Sequence, residues 1–174
     1  MTPSDETTVI IPFIPQKNIH DYITDNYFGQ IPPDRLQLKD SVLFFKCDGK
    51  SRGKIGLSPV IAKSIAASYD FNKNVLSIIS FPVDRNAMYV NSKWEIQKQP
   101  FKGDVVNSYN DGPLADGSQL GPFYEIESSS SVKALRSLGT QNYIQTTCHL
   151  QGDYNDLRNI AKQLLGVDLN EIKK

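Results

Sequence analysis

The chain has 174 residues, enough for one domain with a real core and too few for two comfortable ones. A hydrophobic content of 39% with 22% charge excludes a disordered chain, and 19 basic against 19 acidic residues leave no basic field for nucleic acid or an anionic membrane. No apolar run approaches membrane-spanning length, and the MTPSDETT start lacks the charged-then-apolar pattern of a signal peptide. The compartment is left open between periplasm and cytoplasm.

In chain order, short runs rich in β-branched and aromatic residues predict strands at 8–13, 42–47, 60–67, 75–81, 87–97, 104–109, 123–128 and 143–150. Turn chemistry separates them: Pro32-Pro33-Asp34, Asp48-Gly49, Asn72-Lys73-Asn74, residues 100–103, and Asn110-Asp111-Gly112-Pro113. Many short strands so punctuated predict a single, mainly β domain of antiparallel sandwich type. A weaker helical turn is expected within 18–26. After Asp153 the period changes: Leu157, Ile160, Ala161, Leu164 and Leu165 recur at helical spacing, and Gly166 offers a stop. These predict one amphipathic helix over about 153–166, capped by Asp153, with a short second turn near 169–172. Cys47 and Cys148 sit in apolar strand contexts and are expected as buried free thiols.

Several motifs resolve to ordinary structure. Gly49-Lys50-Ser51-Arg52-Gly53-Lys54-Ile55-Gly56 looks like a phosphate loop, but only three residues separate its first two glycines and Ile55 follows Lys54, so no hydroxyl is placed for magnesium. A flexible basic hairpin connection is the expectation there. Asp104, Asn110, Asp111 and Asp116 lack calcium-loop spacing and read as solvated turn residues. Two histidines, His20 and His149, are too few and too separated for a histidine metal site. There is no serine-nucleophile elbow and no cysteine-protease signature. No cofactor or metal is expected.

The polar residues of 89–127 carry the functional expectation. Alternation in 87–97 puts Met88, Val90, Ser92, Trp94 and Ile96 on one face and Tyr89, Asn91, Lys93, Glu95 and Gln97 on the other. Trp94 is expected in the core. In 123–128, Tyr124 and Ile126 oppose Phe123, Glu125 and Glu127. Carboxylates, amides and rings on one sheet face are what a carbohydrate site uses, since rings stack on sugars and forked groups bond hydroxyls. Tyr89, Asn91, Asn107, Tyr109 and Asp111 are the candidate ligand-binding residues, with Asp111 on a loop that forms a rim. Glu125, Glu127 and His149 are the candidate catalytic ones, a buried carboxylate being able to exchange protons near neutrality. The rival expectation is a non-catalytic sandwich module whose spare face packs against another domain or protomer.

YVNSKWEIQKQPFKGDVVNSYNDGPL, GPFYEIESSS and the upstream NYFGQIPPDRL and FFKCDGKSRGKIGLSP resemble an uncharacterised bacterial family related to the galactose mutarotase (aldose 1-epimerase) superfamily. The resemblance spans roughly residues 9–165. It implies a β-supersandwich binding a carbohydrate-like small molecule on a concave face. It further implies a glutamate base, by position Glu125 or Glu127, and a histidine acid, for which only His149 remains near the last strand. Supersandwiches are usually much longer, so the chain looks like the later half of one. A half should bare an apolar face, 75–81 for example, and a homodimer is expected to cover it.

Overall fold

The computed structural model describes residues 1–93 and 95–172. Among the described residues ten strands form two antiparallel sheets. In chain order they are β1 (Thr7–Pro12), β2 (Ile23–Thr24), β3 (Leu36–Lys39), β4 (Val42–Lys46), β5 (Gly53–Leu57), β6 (Ile65–Asp70), β7 (Val75–Ser80), β8 (Val106–Asn110), β9 (Tyr124–Ser128) and β10 (Thr146–Gln151). One sheet has six strands in the order β10-β7-β6-β1-β4-β3, and the other has four in the order β2-β5-β8-β9. Helix α1 (Tyr154–Leu165) follows the last strand.

The apolar runs decide the layers. β1 reads TTVIIP and is buried along its whole length, because it lies in mid-sheet with both faces covered. Val9 and Ile11 point toward the four-stranded sheet, where Leu43, Phe45, Ile55, Leu57, Val106, Tyr124 and Ile126 complete the sandwich core. Ile10 points the other way, into a second core with Phe44, Ala67, Tyr69, Leu76 and Ile78. The helix closes that second core with Leu157, Ala161 and Leu165, four residues apart and therefore on one face. Asp153 caps α1 by accepting a hydrogen bond from the Asn155 backbone N–H at 2.8 Å, and Gly166 ends it in the left-handed conformation at φ 71°. Short 3-10 turns at Ile19–Tyr22 and Leu169–Glu171 fall where helical turns are expected from the sequence.

Several expectations need correction. The described residues of 87–97 do not form a strand. Tyr89 makes one isolated bridge to Lys102, and the segment closes on itself through Asn91 N–H to Pro100 O and the Asn91 carboxamide accepting from Lys93 N–H. No sheet edge takes up the backbone of the described residues there, so their alternation is unused and Val90 and Ile96 are exposed. The expected core role of Trp94 lies outside the described residues. The strand expected at 60–67 starts at Ile65 instead, since Ile61 and Ala62 turn back onto Ser58 O. Cys47 is buried as expected, whereas Cys148 is exposed because it lies on β10, an edge strand with little covering it. The apolar residues of β7 need no second copy to cover them: Leu76 and Ile78 lie in the helix-side core and Ile79 in the sandwich core.

A cleft on the outer face of the four-stranded sheet

β5, β8 and β9 pair in a register that builds a grid on the sheet face turned away from the core. Lys54, Tyr109 and Glu125 form one cross-strand row, and Gly56, Asn107 and Glu127 form the next. A third row continues past the strand ends with Arg52, Asp111 and Phe123, joined by the Asp111 N–H to Phe123 O bond. Adjacent strands are ~4.8 Å apart, so these side chains are immediate neighbours. The segment carrying Tyr27 and Phe28 and the loop 112–121 rise around the grid. Together they enclose a cleft of about 490 Å³ lined by Phe28, Arg52, Lys54, Tyr109, Phe123 and Glu125, with Leu114 and Leu120 at its rim.

The polar groups of the grid are largely pre-positioned. Lys54 reaches across β8 to Glu127, Nζ to Oε1 at 2.6 Å. Tyr109 donates its hydroxyl hydrogen to Asp111 Oδ1 at 2.7 Å and accepts from Arg52 Nε at 3.3 Å. Asp111 also accepts the Gly121 N–H, which ties the rim loop to the grid. Burial pushes the Asp111 carboxyl up, but the Tyr109 hydroxyl and the Gly121 and Gly112 N–H groups outweigh it and hold the carboxyl below its ordinary value. Tyr109 moves up, through burial and its bond to that anion. The Arg52 guanidinium sits over Phe28, its Cζ 4.1 Å from the ring centroid.

Beside the cleft is a buried cluster. Tyr27 OH lies 2.7 Å from Asp104 Oδ2 and 3.0 Å from Asn107 Oδ1. A phenol has one hydrogen and cannot serve both. Burial pushes the Asp104 carboxyl above its ordinary value, more than the Tyr27 and Thr24 hydrogen bonds and the Lys54 charge pull it down. That shift favours the protonated carboxyl, whose O–H would donate to Tyr27 and leave the phenol hydrogen for Asn107. Gly56 makes room for this arrangement: a Cβ on it would stand 2.2 Å from Asp104 Oδ2 and 2.7 Å from Asn107 Oδ1.

Of the candidate residues, Glu125, Tyr109 and Asp111 line the cleft. Asn107 and Glu127 stand in the adjoining row, the first bonded by Tyr27 and the second ion-paired to Lys54. Three others are elsewhere. Tyr89 is buried in the sandwich core, its hydroxyl accepting from the Asp84 N–H at 3.0 Å. Asn91 holds its own loop together. His149 lies on β10 of the other sheet, its Nδ1 2.8 Å from Ser77 Oγ. Strand alternation groups residues along one strand, but sheet membership separates β10 from β9 and the loop at 87–97 from both.

Arg52 and Lys54 were hidden in the segment expected as a basic hairpin connection, which is in fact β5 with its approach. Alternation of Arg52, Lys54 and Gly56 against Gly53, Ile55 and Leu57 carried the signal, and the three glycines obscured it. Phe28 stands in an irregular segment with no periodicity to reveal it. Among the described residues no group of three or more His, Cys, Asp or Glu is placed to hold a metal ion. None of the described helices is long and apolar enough to cross a membrane.

Two antiparallel sheets, a helix on one flank and a largely apolar cleft with a few charged side chains on the other define a β-sandwich protein with a candidate small-molecule site. Residues 1–174 match the model of a family of unknown function, DUF6786, and the chain belongs to that family. No match was found among curated proteins, and none among solved structures.

Proposed function

We propose that the protein binds a carbohydrate-like small molecule in this cleft, as a carbohydrate-binding or carbohydrate-processing relative of the mutarotase-like proteins. One observation carries the proposal. The Glu125 carboxylate makes no hydrogen bond or ion pair among the described residues, yet it lines a cleft beside the Tyr109 and Phe123 rings. A free forked acceptor beside aromatic faces suits a polyol, whose hydroxyls donate to the carboxylate while its C–H face lies on a ring. Glu125 is also the residue positioned to take a proton from a bound hydroxyl. No histidine lines the cleft as an acid partner, so binding is better supported than turnover. The rival module that packs against another domain or protomer draws on Leu114 and Leu120, exposed at the same rim.

Titration calorimetry against a panel of mono- and disaccharides tests the proposal. Glu125→Gln is expected to weaken the best ligand by roughly 1.5–3 kcal/mol, the worth of a hydrogen bond to a charged group. The far-UV circular dichroism should stay unchanged. Unaltered binding in that variant, or no binding across the panel, would remove the assignment.

A further inference from the structure

Arg52 has a side chain committed at its stem and uncommitted at its fork. Its Nε donates to Tyr109 OH at 3.3 Å and its Cζ sits over the Phe28 ring, 4.1 Å from the centroid, so the guanidinium is held from two sides. The terminal Nη1 and Nη2 have no hydrogen-bond partner among the described residues, and no carboxylate there lies within ion-pair distance of the group. Asp111 reaches Arg52 only through the Tyr109 hydroxyl, and its own oxygens are taken by that hydroxyl and by Gly121 N–H. The other cation of the cleft, Lys54, is paired with Glu127. Elsewhere in the fold a half-buried arginine is paired: Arg35 with Asp48, and Arg158 with Asp168 through two bonds of 2.5 Å.

A planar, oriented and partly desolvated fork with four unused hydrogens is built to receive an oxyanion side-on. Glu125 stands one row further along and two strands across, so a ligand spanning both would place its anion at Arg52 and its hydroxyls at Glu125. We infer that the cleft takes an anionic sugar, such as a uronic acid or a sugar phosphate, whose carboxylate or phosphoryl group is held by the free fork of Arg52. The inference rests on the carbohydrate proposal for the sugar part and on Arg52 alone for the anion.

The test measures affinity together with the Arg52 Nε–Hε signal in proton–nitrogen NMR spectra. The probes are glucuronate and galacturonate, the parent neutral sugars, a hexose phosphate, inorganic phosphate and acetate. The expected result is that an acidic sugar binds roughly ten- to a hundredfold tighter than its neutral parent and shifts the Arg52 signal. Arg52→Gln should remove the advantage of the acidic sugar over its neutral parent, and Arg52→Lys should restore only part of it. A uronate preference assigns a carboxylate to the fork, and a hexose phosphate preference assigns a phosphoryl group. Equal binding of acidic and neutral sugars with a static Arg52 signal overturns the anion site and leaves the carbohydrate proposal standing. Phosphate or acetate moving the signal while no sugar binds upholds the anion site and removes the carbohydrate proposal. If no anion moves the Arg52 signal in the unmodified protein, the inference fails whatever the variants do.

Discussion

Asp104 and Asp48 are both buried aspartates, and their surroundings push them in opposite directions. At Asp48, burial raises the carboxyl, but the Arg35 guanidinium and the Lys50 N–H more than offset this and lower it. At Asp104 burial prevails and the carboxyl is raised. The signs follow from linkage. The stability Asp48 contributes is present above the unfolded carboxyl pKa, ~3.9, and is lost as pH falls through its lower folded value. The stability Asp104 contributes is present below that unfolded value and is lost as pH rises through its higher folded value. Asp104→Asn keeps a hydrogen-bonding side chain beside Tyr27 and abolishes the titration. Urea unfolding at a series of pH values should therefore show a smaller decline toward neutral pH in the variant than in the parent protein. Identical slopes would mean that Asp104 binds protons equally in the folded and unfolded chain, so that burial does not raise its carboxyl.

At the scale of elements, β5 depends on a residue with no side chain. Gly56 lies in mid-strand, where glycine ordinarily weakens a sheet, yet Asp104 and Asn107 occupy the space its Cβ would need. Gly56→Ala is expected to destabilise the protein by about 1–3 kcal/mol through overpacking, read as a lower denaturation midpoint. It should also disturb the adjoining Lys54 row, so ligand affinity should drop with it. Helix α1 offers a milder case. Its end is fixed by the Asp153 cap, and Asp153→Ala should cost ~1 kcal/mol with the sheets intact. A loss of several kcal/mol would show that α1 owes more to its cap than to Leu157, Ala161 and Leu165.

Across the whole molecule, protection is expected to follow the layers. β1 is covered by the four-stranded sheet on one face and by the helix-side core on the other, and it pairs with β4 and β6 on its two edges. β10 pairs only with β7, and its side chains are largely exposed. Opening β10 uncovers little apolar surface, whereas opening β1 requires both cores to part. Hydrogen exchange followed by mass spectrometry should find residues 7–12 the slowest and residues 146–151 among the faster strands. Comparable protection in the two would imply that β10 is covered in solution by something outside these two sheets, as pairing with a second copy would do.

Local chemistry alone determined much of this protein. The runs in β1, β4 and β7, the Asp153-to-Gly166 helix and the opposition of Tyr124 and Ile126 to Phe123, Glu125 and Glu127 were legible because period, capping and β-branching act within a few residues. Tertiary structure decided the rest. Residues 87–97 have a strand's alternation, but the described ones have no partner edge, and a strand without hydrogen-bonded neighbours does not persist. Gly53–Leu57 has the composition of a loop but pairs on both sides, with β2 and with β8, and its glycines serve the packing around Asp104 and Phe45. The candidate site divided along the same line. Tyr109, Asp111 and Glu125 could be found from alternation, while Arg52, Lys54 and Phe28 joined them only because sheet register and a covering segment bring distant residues to one face. Strand pairing is non-local, and no pattern within a single strand specifies which neighbour it will take.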